Sequence, residues 1–138
     1  CGLYPYLFVT NDDPTVYLSL GMTYFGNKKL DMKSVRVETD KNYYDFTCDD
    51  QFDGGYDNDL KAWFDYELFD MDDETSWLNE WLAAKSVTAT FTGRDGSTKT
   101  YTLTKDNLQA IRDVLNVYDT LLGSDVSTAR VVLRSLVK

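Results

Sequence analysis

Twelve carboxylates lie between Asp45 and Glu74 (Asp45, Asp49, Asp50, Asp53, Asp57, Asp59, Asp65, Glu67, Asp70, Asp72, Asp73 and Glu74), with Lys61 as the one cation among them. This surplus of eleven negative charges sits in a chain whose net charge is −9, so the acidity of the protein is the acidity of one segment. Two kinds of chemistry use carboxylates at such density. Hard cations take several oxygens from a wrapping loop, and Asp49, Asp53, Asp57 and Asp59 around Gly54-Gly55 offer a calcium set. Asp49, Asp53, Gly54 and Asp57 match positions one, five, six and nine of an EF-hand loop, but Gln51 at position three and Leu60 at position twelve do not, so an irregular site is the form to expect. Paired carboxylates can also cleave glycosides, one as acid and one as base, and Asp65, Glu67 and Asp70 beside Trp63 and Tyr66 are the residues for that role.

Other chemistries are excluded by composition. The chain has no histidine, which removes Ser-His-Asp and Cys-His arrangements and any imidazole base. Two cysteines without a CxxC cannot make a zinc or iron-sulfur site. The glycines form neither a GxGxxG fingerprint nor a P-loop. A strongly negative chain is not built to neutralise a phosphate backbone, so nucleic acid is not an expected partner. Three readings stay open for Cys1: lipidation, with the membrane reached only through that anchor; a disulfide to Cys48 in an oxidising compartment; or a residue that merely marks where this stretch of chain begins.

Aromatic side chains are interleaved with the acids. Trp63, Phe64, Phe69, Trp77 and Trp81 read as core filling between sheet and helix, because large aromatics are mostly buried. Tyr43, Tyr44, Tyr56 and Tyr66 read as the surface tyrosines, able to stack on a sugar or on a partner protein.

The elements that must position these residues follow from periodicity. Leu3 to Thr10 is apolar and aromatic and is stopped by Asn11-Asp12-Asp13-Pro14. Thr15 to Phe25 places Val16, Leu18, Leu20, Met22 and Tyr24 at strict period two, a half-buried strand. Ser34 to Thr39 and Tyr43 to Cys48 form a hairpin across Asp40-Lys41-Asn42, and Val87 to Thr92 and Thr98 to Leu103 form a second across Asp95-Gly96. Both begin Lys-Ser-Val, a match short enough to reflect shared hairpin chemistry better than a repeat. Trp77, Leu78, Trp81 and Leu82 share one face of a short helix, with Asp72 to Ser76 supplying its cap and dipole partners. Lys105 to Leu122 is a helix capped by Thr104 and stopped by Gly123, and Ser127 to Val137 reads as a third.

At 138 residues, 43% apolar and 14% aromatic with two prolines, the chain is expected to be a single α+β domain. The architecture expected is an antiparallel sheet or small sandwich of about six strands packed by two or three helices. No apolar run approaches the roughly 18 residues needed to span a bilayer as a helix.

The block Lys85-Ser86-Val87-Thr88-Ala89-Thr90-Phe91-Thr92-Gly93, with Tyr101-Thr102-Leu103-Thr104 and Val114-Leu115-Asn116-Val117-Tyr118, resembles uncharacterised extracytoplasmic domains of Gram-positive bacterial lipoproteins. Lys33 to Phe46 is similar to an earlier hairpin in such domains. The resemblance implies an extracytoplasmic location, at the cell surface or secreted, and an accessory role without catalysis. The leading expectation is therefore a non-catalytic binding module that contacts a protein or a glycan and requires no cofactor, calcium being the one candidate. An acidic inhibitor or immunity-type protein covering a basic partner stands second, and a small carboxylate-dependent glycoside hydrolase third.

Overall fold

In the computed structural model, residues 1–9, 16–48 and 53–122 are described. Among the described residues, eight strands form two antiparallel sheets of four. Sheet I runs in the order β1 (Gly2–Val9), β2 (Val16–Gly26), β6 (Ala62–Asp70), β5 (Asp53–Asp57). Sheet II runs β4 (Tyr43–Thr47), β3 (Met32–Thr39), β7 (Val87–Gly93), β8 (Thr98–Thr102). The helices are α1 (Thr75–Ala83) and α2 (Lys105–Leu122). The α+β expectation holds in this broad form, but the strands number eight in two sheets in place of about six. The two additional strands, β5 and β6, both come from the acidic segment. The loop Asn11-Asp12-Asp13-Pro14 and the third helix expected over 127–137 lie outside the described residues.

Both expected hairpins form, and they lie side by side because β3 pairs with β7, Val35 opposite Phe91 and Val37 opposite Ala89. The tight turn of the second uses Gly96 at φ +87°, the left-handed backbone that glycine adopts without a Cβ clash. The inward sides of the two sheets share one core: Leu18, Leu20 and Met22 from β2 meet Val35, Val37, Ala89 and Phe91 from sheet II. Ring contacts join the layers, Tyr24 to Phe91 at 6.4 Å and Phe46 to Phe69 at 5.1 Å between centroids.

Helix α1 closes the core with Leu78 and Trp81, whose indole is wholly buried beside Tyr44 and Phe46. Its N-cap falls within Asp72 to Ser76, as expected, but makes no side-chain bond. Glu74 occupies the position, and no acid sits in the first turn. Asp72 acts elsewhere: its Oδ1 accepts the Leu18 N–H at 2.8 Å and the Tyr118 hydroxyl at 3.0 Å, tying β2 to α2. Helix α2 begins as its sequence requires, with the Thr104 hydroxyl accepting the Asn107 N–H at 3.1 Å. Asn107 then clamps strand β1, its Oδ1 accepting the Leu3 N–H at 3.3 Å and its Nδ2 donating to the Leu3 carbonyl. Among the described residues, no helix is long and apolar enough to cross a membrane.

Candidate functional site

The acidic segment does not form one patch. Asp45 binds Arg36 through two parallel bonds of 2.7 and 2.9 Å on the outer side of sheet II, which holds its carboxyl below the usual range. Asp57 accepts the N–H groups of Asp59 and Leu60, both at 2.9 Å, and so builds the turn between β5 and β6. Residues Asp53 to Asp57, read from sequence as part of a wrapping loop, are a strand. At about 3.3 Å per residue the backbone ends of that strand stand roughly 13 Å apart. Asp49 lies outside the described residues, and no group of three metal-ligating side chains occurs among the described ones.

The carboxylates considered for hydrolysis are divided by the pleat of β6. Asp65 and Glu67 pair with Tyr24 and Met22 on the inward side, whereas Asp70 pairs with Ser19 on the outward side. Asp65 is 2% exposed and accepts the Met32 N–H at 3.2 Å. Burial, followed by the nearby charge of Asp31, pushes its carboxyl upward, while the N–H groups of Met32 and Asp31 act against that shift. The bonds explain its place: Asp31 turns the chain into β3 with a left-handed φ of 53°, and Asp65 fastens the corner.

The four surface tyrosines lie in four environments. Tyr43 is exposed on the outer side of sheet II with the Arg36 guanidinium 4.3 Å above its ring. Tyr44 is turned inward, 5% exposed, donates to Glu80 and packs on Trp77 and Trp81, so it belongs to the core. Burial and then Glu80 push its hydroxyl up to about 12. Tyr56 is exposed at the margin of sheet I, edge-on to Trp63 at 5.4 Å. Tyr66 is half-buried on the outer side of sheet I, directly across from Thr23. Of the aromatics read as core, Trp81 is buried and Phe69 and Trp77 pack against the core. Phe64 instead joins Phe25 at 6.3 Å on the outer side of sheet I.

That outer side is the most distinctive surface of the molecule. Strand β1 sends Tyr4, Tyr6 and Phe8 to it, and the register places them opposite Gly21, Ser19 and Tyr17. Leu68 follows on β6, opposite Gly21. Tyr4, Tyr6, Phe8, Tyr17 and Leu68 are 38–46% exposed, and they are five of the eight exposed large hydrophobic residues among those described. The Tyr6 and Phe8 rings run nearly parallel, 27° apart with centroids 6.4 Å from each other. Glycine at position 21 is what lets rings cross the middle of this face: a Cβ there would come within 2.8 Å of the Tyr6 ring and 2.9 Å of Tyr66. The rings in turn bury Ser19 and Thr23, which are 2% and 9% exposed although they point away from the core. The sequence held a signal for this face in the alternation Tyr4, Tyr6, Phe8 opposed to Tyr17, Ser19, Gly21, Thr23.

Cys1 lies at the start of β1 with its Sγ 3.4 Å from both the carbonyl and the amide nitrogen of Phe25. No disulfide joins it to Cys48, which is buried beyond the end of β4. No protein-family profile, curated protein or solved structure matches this chain.

Proposed function

We propose that the protein is a non-catalytic binding module, of cell-surface or secreted type, whose contact surface is the aromatic outer side of sheet I and whose partner there is a glycan. The observation that carries the reading is the gathering of Tyr4, Tyr6, Phe8, Tyr17 and Leu68, each 38–46% exposed, on one side of one sheet. Soluble monomers seldom leave so many large apolar side chains together in water, and such patches mark interaction sites. Several features favour a glycan. The rings are fixed by a sheet and not by loops, so stacking costs little ordering entropy. Tyr6 and Phe8 present near-parallel rings, a platform for the apolar side of a pyranose. Tyrosine hydroxyls around the rings supply the donors and acceptors a sugar needs. The β1 and β2 part of the face carries no charged residue, and the acids at its paired positions stand at its margins, Asp70 near the end of β6 and Asp53 and Asp57 on the edge strand β5. The non-catalytic reading is supported by Asp65, whose carboxylate holds backbone N–H groups, and by the opposite orientation of Asp70.

The test is a printed glycan array probed with the protein and with the Tyr6→Ala/Phe8→Ala double variant. We expect the parent to retain a restricted set of glycans and the variant to lose at least about 2 kcal/mol, roughly thirtyfold in affinity. Both side chains are exposed, so the variant should stay folded with stability changed by less than about 1 kcal/mol. Retention by the variant equal to the parent would refute the reading.

A further inference from the structure

The aromatic face of sheet I gives way, past the start of β1, to a cavity rich in lysine. Tyr4 leans along the strand toward that end: a Cβ at Gly2 would meet the tip of the Tyr4 ring at 2.5 Å, so the ring lies over Gly2. Gly2 pairs with Thr23, and Gly26 at the end of β2 is three residues, roughly 10 Å, further on. There, between the end of β2 and the turn joining β7 to β8, opens a cavity of about 350 Å³ whose lining includes Asn27, Lys28, Lys29, Asp95, Thr98 and Lys99.

Three lysines stand against one carboxylate in this lining. Lys29 is held by Asp31 at 3.6 Å, whereas Lys28 and Lys99 are exposed and make no ion pair among the described residues. Asp95 is bound to its own turn, its Oδ1 accepting the Ser97 N–H at 2.9 Å and the Ser97 hydroxyl at 2.5 Å. Asn27 and Thr98 add an amide and a hydroxyl to the wall. Asp57 and Asp59 share this end of sheet I, but they belong to β5 and its turn, across β6 from β2. Two strand spacings amount to about 10 Å, roughly one Debye length at physiological salt, so their charge is largely screened from the cavity. At the other end of the face the sign reverses, because Asp70 pairs with Ser19, which lies opposite Tyr6. The row of rings Phe8, Tyr6 and Tyr4 thus runs from an acid toward a cationic cavity.

We infer that the glycan is acidic: its sugar rings lie along Phe8, Tyr6 and Tyr4, and a carboxylate or sulfate it carries reaches Lys28 and Lys99, the anionic end directed toward Gly26 and away from Asp70. This rests on the glycan reading of the aromatic face and adds to it the charge and the direction of the ligand. Stacking holds neutral and acidic chains alike, and the lysines discriminate between them.

The test is an array on which each carboxylated or sulfated glycan is printed beside its neutral counterpart, esterified or desulfated, and probed with the whole chain. Acidic members should be retained at least about tenfold more tightly than their counterparts, and the preference should shrink as salt is raised. Lys28→Gln/Lys99→Gln should bring the preference below about threefold and leave neutral glycans bound as by the parent. Both side chains are exposed, so this variant should melt with the parent. Lys41→Gln/Lys85→Gln removes the same charge beyond the far ends of β3 and β7 and should leave the preference unchanged. Retention of carboxylated members alone, or of sulfated members alone, supports the inference and names the acid. Equal retention of acidic and neutral members, a preference that survives Lys28→Gln/Lys99→Gln, or an equal loss in both double variants overturns it and leaves the glycan reading standing. An array that retains neither kind overturns both.

Discussion

A single buried carboxylate, Asp65, has a structural role in the fold that its place in the sequence does not disclose. It is 2% exposed, it accepts N–H bonds at the corner leading into β3, and burial raises its pKa above the ordinary 3.8. The sign of the resulting pH dependence follows. The folded state holds its proton to higher pH than the unfolded state, so stability falls as pH rises from 3.8 through the raised value and stays lower beyond it. Asn at this position keeps an acceptor oxygen without the charge. The stability of Asp65→Asn relative to the parent should therefore increase between pH 4 and pH 7, as read by urea denaturation at each pH. A difference that is constant or shrinks would show that Asp65 is not strained by its burial. Tyr118 illustrates the same linkage at alkaline pH. Burial and then Asp72 hold its hydroxyl up to about 12, so its contribution is complete below the ordinary value of 10 and is lost as pH rises through 12.

Among the elements, Asp72 joins β2 and α2, which are distant in sequence, through one oxygen. Asp72→Ala leaves the Leu18 N–H and the Tyr118 hydroxyl without their acceptor and should cost about 2 kcal/mol, while Asp72→Asn should recover most of it. Thermal denaturation of the three proteins reads this directly, and equal melting points would remove the clamp from the account. The hairpins and α2 were legible in sequence because their signals are local: alternation, Asp95-Gly96, and the Thr104 cap. Strands β5 and β6 were hidden because their pattern is mixed on both sides. β6 points Trp63, Asp65, Glu67 and Phe69 inward and Phe64, Tyr66, Leu68 and Asp70 outward, so neither side reads as core or as solvent. The acidic sequence of β5 and its glycines suggest a loop until β6 is available to pair with it. Asp72 was assigned to helix capping for a related reason, since its true partners, Leu18 and Tyr118, are set by tertiary packing.

For the whole molecule, two sheets share one core and leave two very different outer surfaces. The outer side of sheet II carries Thr88, Thr90 and Thr92 paired with Thr102, Thr100 and Thr98, beside the Arg36–Asp45 ion pair, and is polar apart from the Tyr43 ring under Arg36. The outer side of sheet I is aromatic. No sequence pattern distinguishes a strand side covered by a further layer from one left bare, which is why Tyr4, Tyr6, Phe8 and Tyr17 were not legible as a surface while their strands were. Calcium belongs to this scale as well, because a ligand held only by the folded state raises the melting temperature of the whole domain. Recognition by the aromatic side of sheet I, as proposed, requires no metal. Melting temperatures in millimolar calcium and in excess chelator should accordingly agree, and a clear rise with calcium would return Asp49, Asp53, Asp57 and Asp59 to the functional site.

In the function we propose, the outer side of sheet I is where the protein meets a glycan. The most direct measurement is NMR chemical-shift mapping on the intact chain, titrated with the strongest glycan retained on the array. Shifts should concentrate on Tyr4, Tyr6, Phe8, Tyr17, Ser19, Gly21 and Leu68, and the Tyr6→Ala/Phe8→Ala variant should abolish them. Shifts centred on sheet II, or an array on which no glycan is retained, would contradict the account.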